Sequence, residues 1–210
     1  MSDTKFVNET ILMICKKLNE LSINYYIAGA IGGYIDAGIS LERKHDDLDI
    51  LIEEKDVEKL KIVFENTDFD FYDNRFISEK VLNEYGYTDG DHEVCAWHKF
   101  SDFHIGFFLV SFDEDSYTIS EYFKDNNKQK KLDRTLPIEY FKYQYNEVPI
   151  NYLGVNVKVA RKELIYKNKK AMGREKDLFD IERLERCLDY QILDGLKGLS
   201  KKRESKIIEL

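Results

Sequence analysis

The sequence predicts an α+β domain with a helical C-terminal region, on three observations. Over residues 7–64, apolar residues at steps of three and four alternate with short β-branched and aromatic runs, in the order α-β-α-β-α. Between residues 92 and 123, strand-like runs follow one another across short turns. From Arg161 onward the pattern is helical, broken at Gly173 and near Gly195 to Gly198. The 210 residues include 43% hydrophobic residues, 14 Tyr and 13 Phe. That is enough to bury a core without staples and too much for a disordered chain.

The first segment, Val7 to Leu21, places Ile11, Leu12, Cys15, Leu18 and Leu21 on one helical face. Ile23 to Ala28 reads as a strand ended by Gly29, and Ala30 to Ile39 as a short helix stopping near Gly38. Leu48 to Ile52 is a second strand. Asp56 opens a helix with Val57, Leu60, Ile62, Val63 and Phe64 as its apolar surface. From Asp68 to Gly90 the signal is mixed, with a short helix expected near Ser78 to Glu84. His92 to Phe100 and Phe103 to Phe112 form a hairpin across Ser101-Asp102, and Ser116 to Phe123 adds a third strand. Lys124 to Arg134 is polar and charged and reads as a loop. Pro137 suits the first turn of a short helix. Val148 to Ala160 carries a hairpin turning at Leu153-Gly154. Residues 1–125 are expected to form the main domain, and 126–210 a β-hairpin and helical region packing on it.

Charge and cysteines bound the setting. Against 32 Lys and Arg stand 40 Asp and Glu, a net charge of −8. This disfavours wrapping duplex nucleic acid by bulk charge and leaves a local basic patch open. No apolar run nears the ~18 residues a membrane helix requires. The start, Met1-Ser2-Asp3-Thr4-Lys5, lacks the basic segment and apolar stretch of a secretory signal. Cys15, Cys95 and Cys187 are odd in number and widely spaced, which fits reduced thiols in a cytoplasmic setting.

The most informative stretch is Arg43-Lys44-His45-Asp46-Asp47-Leu48-Asp49-Ile50-Leu51-Ile52. On a strand, Leu48, Ile50 and Ile52 turn to the core while Asp47 and Asp49 project together from the other face. Adjacent carboxylates repel, so in a bare fold the arrangement is costly. It becomes favourable around a hard divalent cation, because Mg²⁺ takes oxygen ligands from one or two carboxylates plus substrate phosphates. As an isolated Asp-x-Asp, the pair is an acidic face of an amphipathic strand. Upstream, a strand ending at Gly29 runs into a helix start, where unpartnered backbone N–H groups favour a phosphate.

Together, Ile27-Ala28-Gly29-Ala30 and Arg43-Lys44-His45-Asp46-Asp47-Leu48-Asp49 resemble the nucleotidyltransferase superfamily, the second run being closest to the aminoglycoside and lincosamide (antibiotic) nucleotidyltransferases. The resemblance implies a mixed β-sheet flanked by helices. It makes Asp47 and Asp49 the ligands of Mg²⁺, with two ions in the usual two-metal manner. It also assigns nucleotide binding to Gly29 and Ala30, with Arg43 and Lys44 steering the triphosphate. Gly32-Gly33 matches the family's glycine doublet literally, but Gly29-Ala30 stands where the strand ends. A second resemblance lies in Lys169-Lys170-Ala171-Met172-Gly173-Arg174-Glu175-Lys176-Asp177-Leu178-Phe179-Asp180-Ile181. It implies helical packing on the catalytic domain with Lys169 or Arg174 near phosphate or substrate. The plainer reading has Asp177 and Asp180 capping helices or pairing with Arg174 and Lys176.

The superfamily commonly places a third acid on a later strand, as metal ligand or general base. Here the candidate strand runs Asp102-Phe103-His104-Ile105-Gly106-Phe107-Phe108, and Gly106 stands at the acid's position. Asp102 supplies the carboxylate if the strand is shifted; otherwise His104 serves as base. Tyr140, Phe141, Tyr143, Tyr145 and Tyr152 suit either stacking on a base or drug ring, or core packing. The resulting expectation is an enzyme that moves an NMP from an NTP to a hydroxyl of a small-molecule acceptor. Two alternatives stand beside it: a toxin-type transferase acting on tRNA or protein, and a catalytically degenerate nucleotide-binding module.

Overall fold

The computed structural model describes residues 4–75, 81–82, 88–89, 93–125, 128–197 and 204–210. Helix α1 (Thr4–Glu20) leads into strand β1 (Tyr25–Ile27), helix α2 (Gly29–Ala37) and strand β2 (Asp47–Glu53). A 3-10 turn over Glu54–Lys59 precedes helix α3 (Leu60–Phe64). Strands β3 (Phe69–Asp73), β4 (Val81–Leu82), β5 (Thr88–Asp89), β6 (Val94–His98), β7 (His104–Phe112), β8 (Ser116–Asp125) and β9 (Lys128–Pro137) follow. After helix α4 (Phe141–Gln144) come the hairpin β10 (Ile150–Tyr152) and β11 (Val155–Val157) and helices α5 (Lys162–Met172), α6 (Glu175–Glu185) and α7 (Tyr190–Lys197). Strand β12 (Glu204–Glu209) ends the chain.

An eight-stranded mixed sheet organises these elements, in the order β1-β2-β7-β8-β9-β12, with β6 and β3 attached. Among the described strands the parallel pair is β2 with β7, in the register Asp47 to His104 and Asp49 to Gly106. The opposite edge of β7 is shared: β6 takes residues 104–107 and β8 takes residues 109–112. The β2–β7 pairing positions the site, because it brings the acidic strand and the strand of the third-acid position side by side.

One sheet face is covered by α1 and α3. Phe64 of α3 stacks on Phe71 and meets Phe69 and Phe107 edgewise or tilted, while Phe6 of α1 meets Phe103. Val7, Ile11, Ile14, Cys15 and Leu18 are buried, as the helical spacing predicts, whereas Leu12 and Leu21 are only partly covered. Lys17 ties the two helices together, donating through Nζ to the carbonyls of Val63 and Glu65 at 2.8 and 3.0 Å. The other face receives the C-terminal region: Phe141 packs on Tyr26, Phe112 and Tyr117 and stacks on Tyr145. The aromatic run is therefore core material at Phe141 and Tyr145, with Tyr140, Tyr143 and Tyr152 half-buried around it.

The structure corrects the expected elements in four places. Lys124 to Arg134 is not a loop: β9 occupies most of it, with Leu132, Arg134 and Leu136 turned inward. The tail is not helical to its end, because β12 returns to pair with β9. The helix expected from Asp56 is a 3-10 turn before it becomes α-helical at Leu60. Phe69–Asp73, where the signal was mixed, is a strand paired with β6. The short helix expected near Ser78 to Glu84 lies outside the described residues except at Val81–Leu82, which pair with Thr88–Asp89.

No disulfide joins the cysteines, which are thiols. Burial pushes the Cys15 thiol up to about 12, against a hydrogen bond with Tyr25. At pH 8 a maleimide should label the half-buried Cys187 first and reach Cys15 only after denaturation, as peptide mass mapping of the labelled sites will show. No helix among the described residues is long and apolar enough to cross a membrane.

Candidate active site

The site begins with the pleat of β2. Leu48, Ile50 and Ile52 are fully buried on one face, and Asp47 and Asp49 project side by side on the other, each partly covered. Burial and then the charge of Asp49 push the Asp47 carboxyl above its usual range, against the pull of His104, Lys176 and Arg43. Two acids confined in this way favour a counter-charge between them.

The glycine turn lies against the same carboxylates. Ala28 donates its N–H to the Asp49 carbonyl at 2.7 Å, fixing the start of α2 to β2. Gly29 has φ +59°, and a Cβ there would overlap Oδ2 of Asp49 and stand 3.2 Å from its Cγ. Two independent constraints thus require glycine. The literal doublet Gly32-Gly33 lies inside α2, packed on the Ile27 carbonyl and the Ile165 side chain. It is Gly29-Ala30 that meets the acids. Replacing Gly29 with Ala should cost about 1–3 kcal/mol of stability. Gly38→Ala, at φ +66° with open space around it, should show only the backbone cost. Denaturant melts of the two variants separate the overlap with Asp49 from the backbone cost.

On β7, His104 faces Asp47 across the parallel ladder and Gly106 faces Asp49. The His104 ring stacks on Trp97 of β6, with centroids 4.6 Å apart and planes at 23°. Its Nδ1 is buried without a hydrogen-bond partner among the described residues. Asp102 lies on the exposed turn before β7. Gly106 presents no side chain opposite Asp49, so the third-acid position is empty of carboxylate.

The basic residues are drawn into a network that sequence proximity only partly disclosed. Asp180 of α6 accepts from Arg43 Nε at 2.8 Å and Nη2 at 2.9 Å, from Lys169 Nζ at 2.7 Å, and from the Tyr34 hydroxyl. Burial alone would raise the Asp180 carboxyl, but these hydrogen bonds hold it far below the usual carboxylate range. Lys169 also reaches Asp177 at 2.9 Å, and Arg174 grips Asp177 at 2.7 and 3.0 Å. The expected Arg174–Asp177 pairing is present, whereas Asp180 bonds Arg43, Lys169 and Tyr34 rather than Lys176. Lys44 forms an exposed pair with Asp46 at 2.7 Å. Arg43 and Asp180, 137 residues apart, pin α6 over the start of β2. Sequence reasoning missed the Tyr34 hydroxyl on Asp180. The 3.6-residue period from Gly29 to Ala37 marks Tyr34 as core and says nothing of its hydroxyl.

Among the described residues no group of three or more His, Cys, Asp or Glu side chains is arranged to hold a metal ion. The donors present are the two carboxylates of β2. That set fits Mg²⁺, which usually takes one or two carboxylates and completes its shell from water and substrate phosphates.

No protein-family profile and no curated protein matches the sequence. Solved structures do match the fold. The solution structure of the antibiotic-resistance factor ANT(2'')-Ia aligns over 93% of this chain and 91% of that one, with a TM-score of 0.57. The lincomycin-bound crystal structure of the lincosamide antibiotic adenylyltransferase LnuA aligns over 86% and 97%, at 0.58. ANT(2'')-Ia in complex with adenylyl-2''-tobramycin aligns over 91% and 94%, also at 0.58. Identity is 14% in every case. The chain thus has the fold of the antibiotic nucleotidyltransferases, as its glycine turn and acidic strand imply.

Proposed function

We propose that this chain is a Mg²⁺-dependent nucleotidyltransferase. It moves an NMP from an NTP to a hydroxyl of a small, antibiotic-like acceptor and releases pyrophosphate. The observation that supports this best is the placement of Asp47 and Asp49 on one sheet face with the Gly29 turn laid against them. The similar folds include a lincomycin-bound adenylyltransferase and an enzyme complexed with adenylyl-2''-tobramycin, which supports an acceptor of that kind.

When bound, Mg²⁺, proposed as two ions, neutralises the triphosphate and the oxygens around the reacting phosphorus. Asp47 and Asp49 hold it. The first amides of α2, at Gly29 and Ala30, lie ahead of the Gly32-to-Ala28 hydrogen bond at 2.9 Å and offer their N–H groups to phosphate. Lys44, in an exposed pair, is free to exchange Asp46 for an incoming anion. Arg43 and Lys169 act by fixing α6 beside the acids, and Arg174 braces the start of that helix through Asp177. The acceptor oxygen attacks the α-phosphorus as the bond to the β-phosphate oxygen breaks, and pyrophosphate leaves with that electron pair. His104, fixed on Trp97 and facing Asp47, is better placed than Asp102 to receive the hydroxyl proton. Positioning and charge compensation supply most of the acceleration.

Pyrophosphate release from each NTP with Mg²⁺ and a panel of aminoglycosides and lincosamides tests the reading. Release should require both metal and acceptor, and its absence throughout would contradict it. His104→Asn should lower release far more than Asp102→Asn. A second reading, a nucleotide-binding module without turnover, is favoured by Gly106 at the third-acid position. NTP binding by calorimetry without any release would support that module.

A further inference from the structure

A second concavity lies at the Tyr25 end of β1, away from the Gly29 turn. It is a cleft of about 520 Å³ between the end of α1, the start of β1 and β11. Its polar rim includes Asn19, Ser22, Asn156 and Lys158, and Ile23, Tyr25 and Pro149 supply apolar surface. In a chain with 40 acidic residues, no Asp or Glu among the described residues lines it. Lys158 gives the cleft its charge. Its ammonium donates to Asn24 Oδ1 at 2.8 Å and lies 5.4 Å from the centre of the Tyr26 ring. Among the described residues it meets no carboxylate, whereas the half-buried Lys131 and Lys162 both do. A partly desolvated cation held by a neutral amide and a ring face is short of counter-charge. The surrounding groups are donors as well: the Asn19 and Asn156 carboxamides and the Ser22 hydroxyl. The last carbonyls of α1, at Lys17, Leu18 and Asn19, already accept from the N–H groups of Leu21, Ile23 and Ser22. The helix end therefore turns no bare acceptor toward the cleft.

We propose that this cleft binds a small organic carboxylate, its charge on Lys158 and its body against Ile23, Tyr25 and Pro149. The volume suits a molecule of that size. One cation matches one negative charge, whereas a phosphate dianion would ask for a second. Lys158 can meet the anion without leaving Asn24, because an ammonium carries three donors. The cleft shares no residue with the acid site, so the proposal stands apart from the transfer reading.

Benzoate and its uncharged isostere benzamide, titrated into isotope-labelled protein and followed by two-dimensional NMR, test the assignment. The proteins compared are wild type, Lys158→Met, Lys158→Arg and Lys197→Ala. Lys197, in an exposed pair with Asp194 at 2.6 Å, is the charge-matched control. Benzoate should shift the Asn19 and Asn156 side-chain amide signals of wild type and saturate in the millimolar range. Benzamide should bind at least about tenfold more weakly, and Lys158→Met should weaken benzoate by about the same factor, the loss of one charge-assisted contact. Lys158→Arg should restore most of the affinity, and Lys197→Ala should match wild type. Equal affinity for benzamide and benzoate, benzoate binding unchanged in Lys158→Met, or no saturable shift at these two amides in wild type overturns the proposal. The benzoate–benzamide comparison is made on wild type, so it decides the matter even if Lys158→Met does not fold.

Discussion

Asp47→Asn and Asp49→Asn should each lower the proposed nucleotide transfer by about a thousandfold or more, because each removes a carboxylate proposed to hold the metal. Their effect on stability should have the opposite sign. Burial and mutual repulsion already push the Asp47 carboxyl upward, so neutralising one partner relieves a strain on the folded state. The gain should be on the order of 0.5 kcal/mol. Parallel thermal melts and transfer assays check both signs. A variant that loses activity together with several degrees of Tm would instead mark the pair as structural.

Asp180→Ala should be strongly destabilising. The Asp180 side chain is fully buried and receives the Arg43 fork, the Lys169 ammonium and the Tyr34 hydroxyl. Removing it leaves Arg43 and the buried Lys169 short of their counter-charge, a loss of about 3–5 kcal/mol. For a chain of 210 residues that is a fall in Tm on the order of 10 °C. The pH dependence follows from the same contacts. A carboxyl held below its unfolded pKa binds fewer protons in the native state, so its stabilisation is present above the ordinary Asp range. That stabilisation fades as pH falls from ~5 toward ~1. Asp177, also lowered by Arg174 and Lys169 against burial, adds to the effect. Wild type should therefore lose Tm steeply below about pH 5, and Asp180→Asn should flatten that acid limb while starting from a lower Tm at neutral pH.

What was legible in the sequence is what local geometry controls. The alternation of Asp47 and Asp49 against Leu48, Ile50 and Ile52 needs only the two-residue strand period, and the Gly29 turn needs only a strand meeting a helix. The place of Gly106 came from the resemblance, whose third-acid position it occupies, and the β2–β7 register sets it beside Asp49. β9 was obscured by its composition. Arg134 occupies an inward position that a hydrophobe usually fills, satisfied by an ion pair to Glu121 on the neighbouring strand. β12 had no pattern to read, since as the sheet's edge strand it is exposed on nearly every residue and needs no alternation. The Arg43–Asp180 fork joins residues 137 apart. No helical or strand period spans that distance, so the pairing of Arg43 with α6 could not be read from the local pattern.

The most direct test of the account is the mass of the acceptor itself. Each aminoglycoside or lincosamide of a panel is incubated with the four NTPs, Mg²⁺ and either wild type or the Asp47→Asn/Asp49→Asn double variant, then weighed by mass spectrometry. The account predicts an acceptor heavier by one nucleoside monophosphate with wild type and none with the double variant. An unmodified acceptor in every wild-type reaction, or the same adduct formed by the double variant, would contradict it.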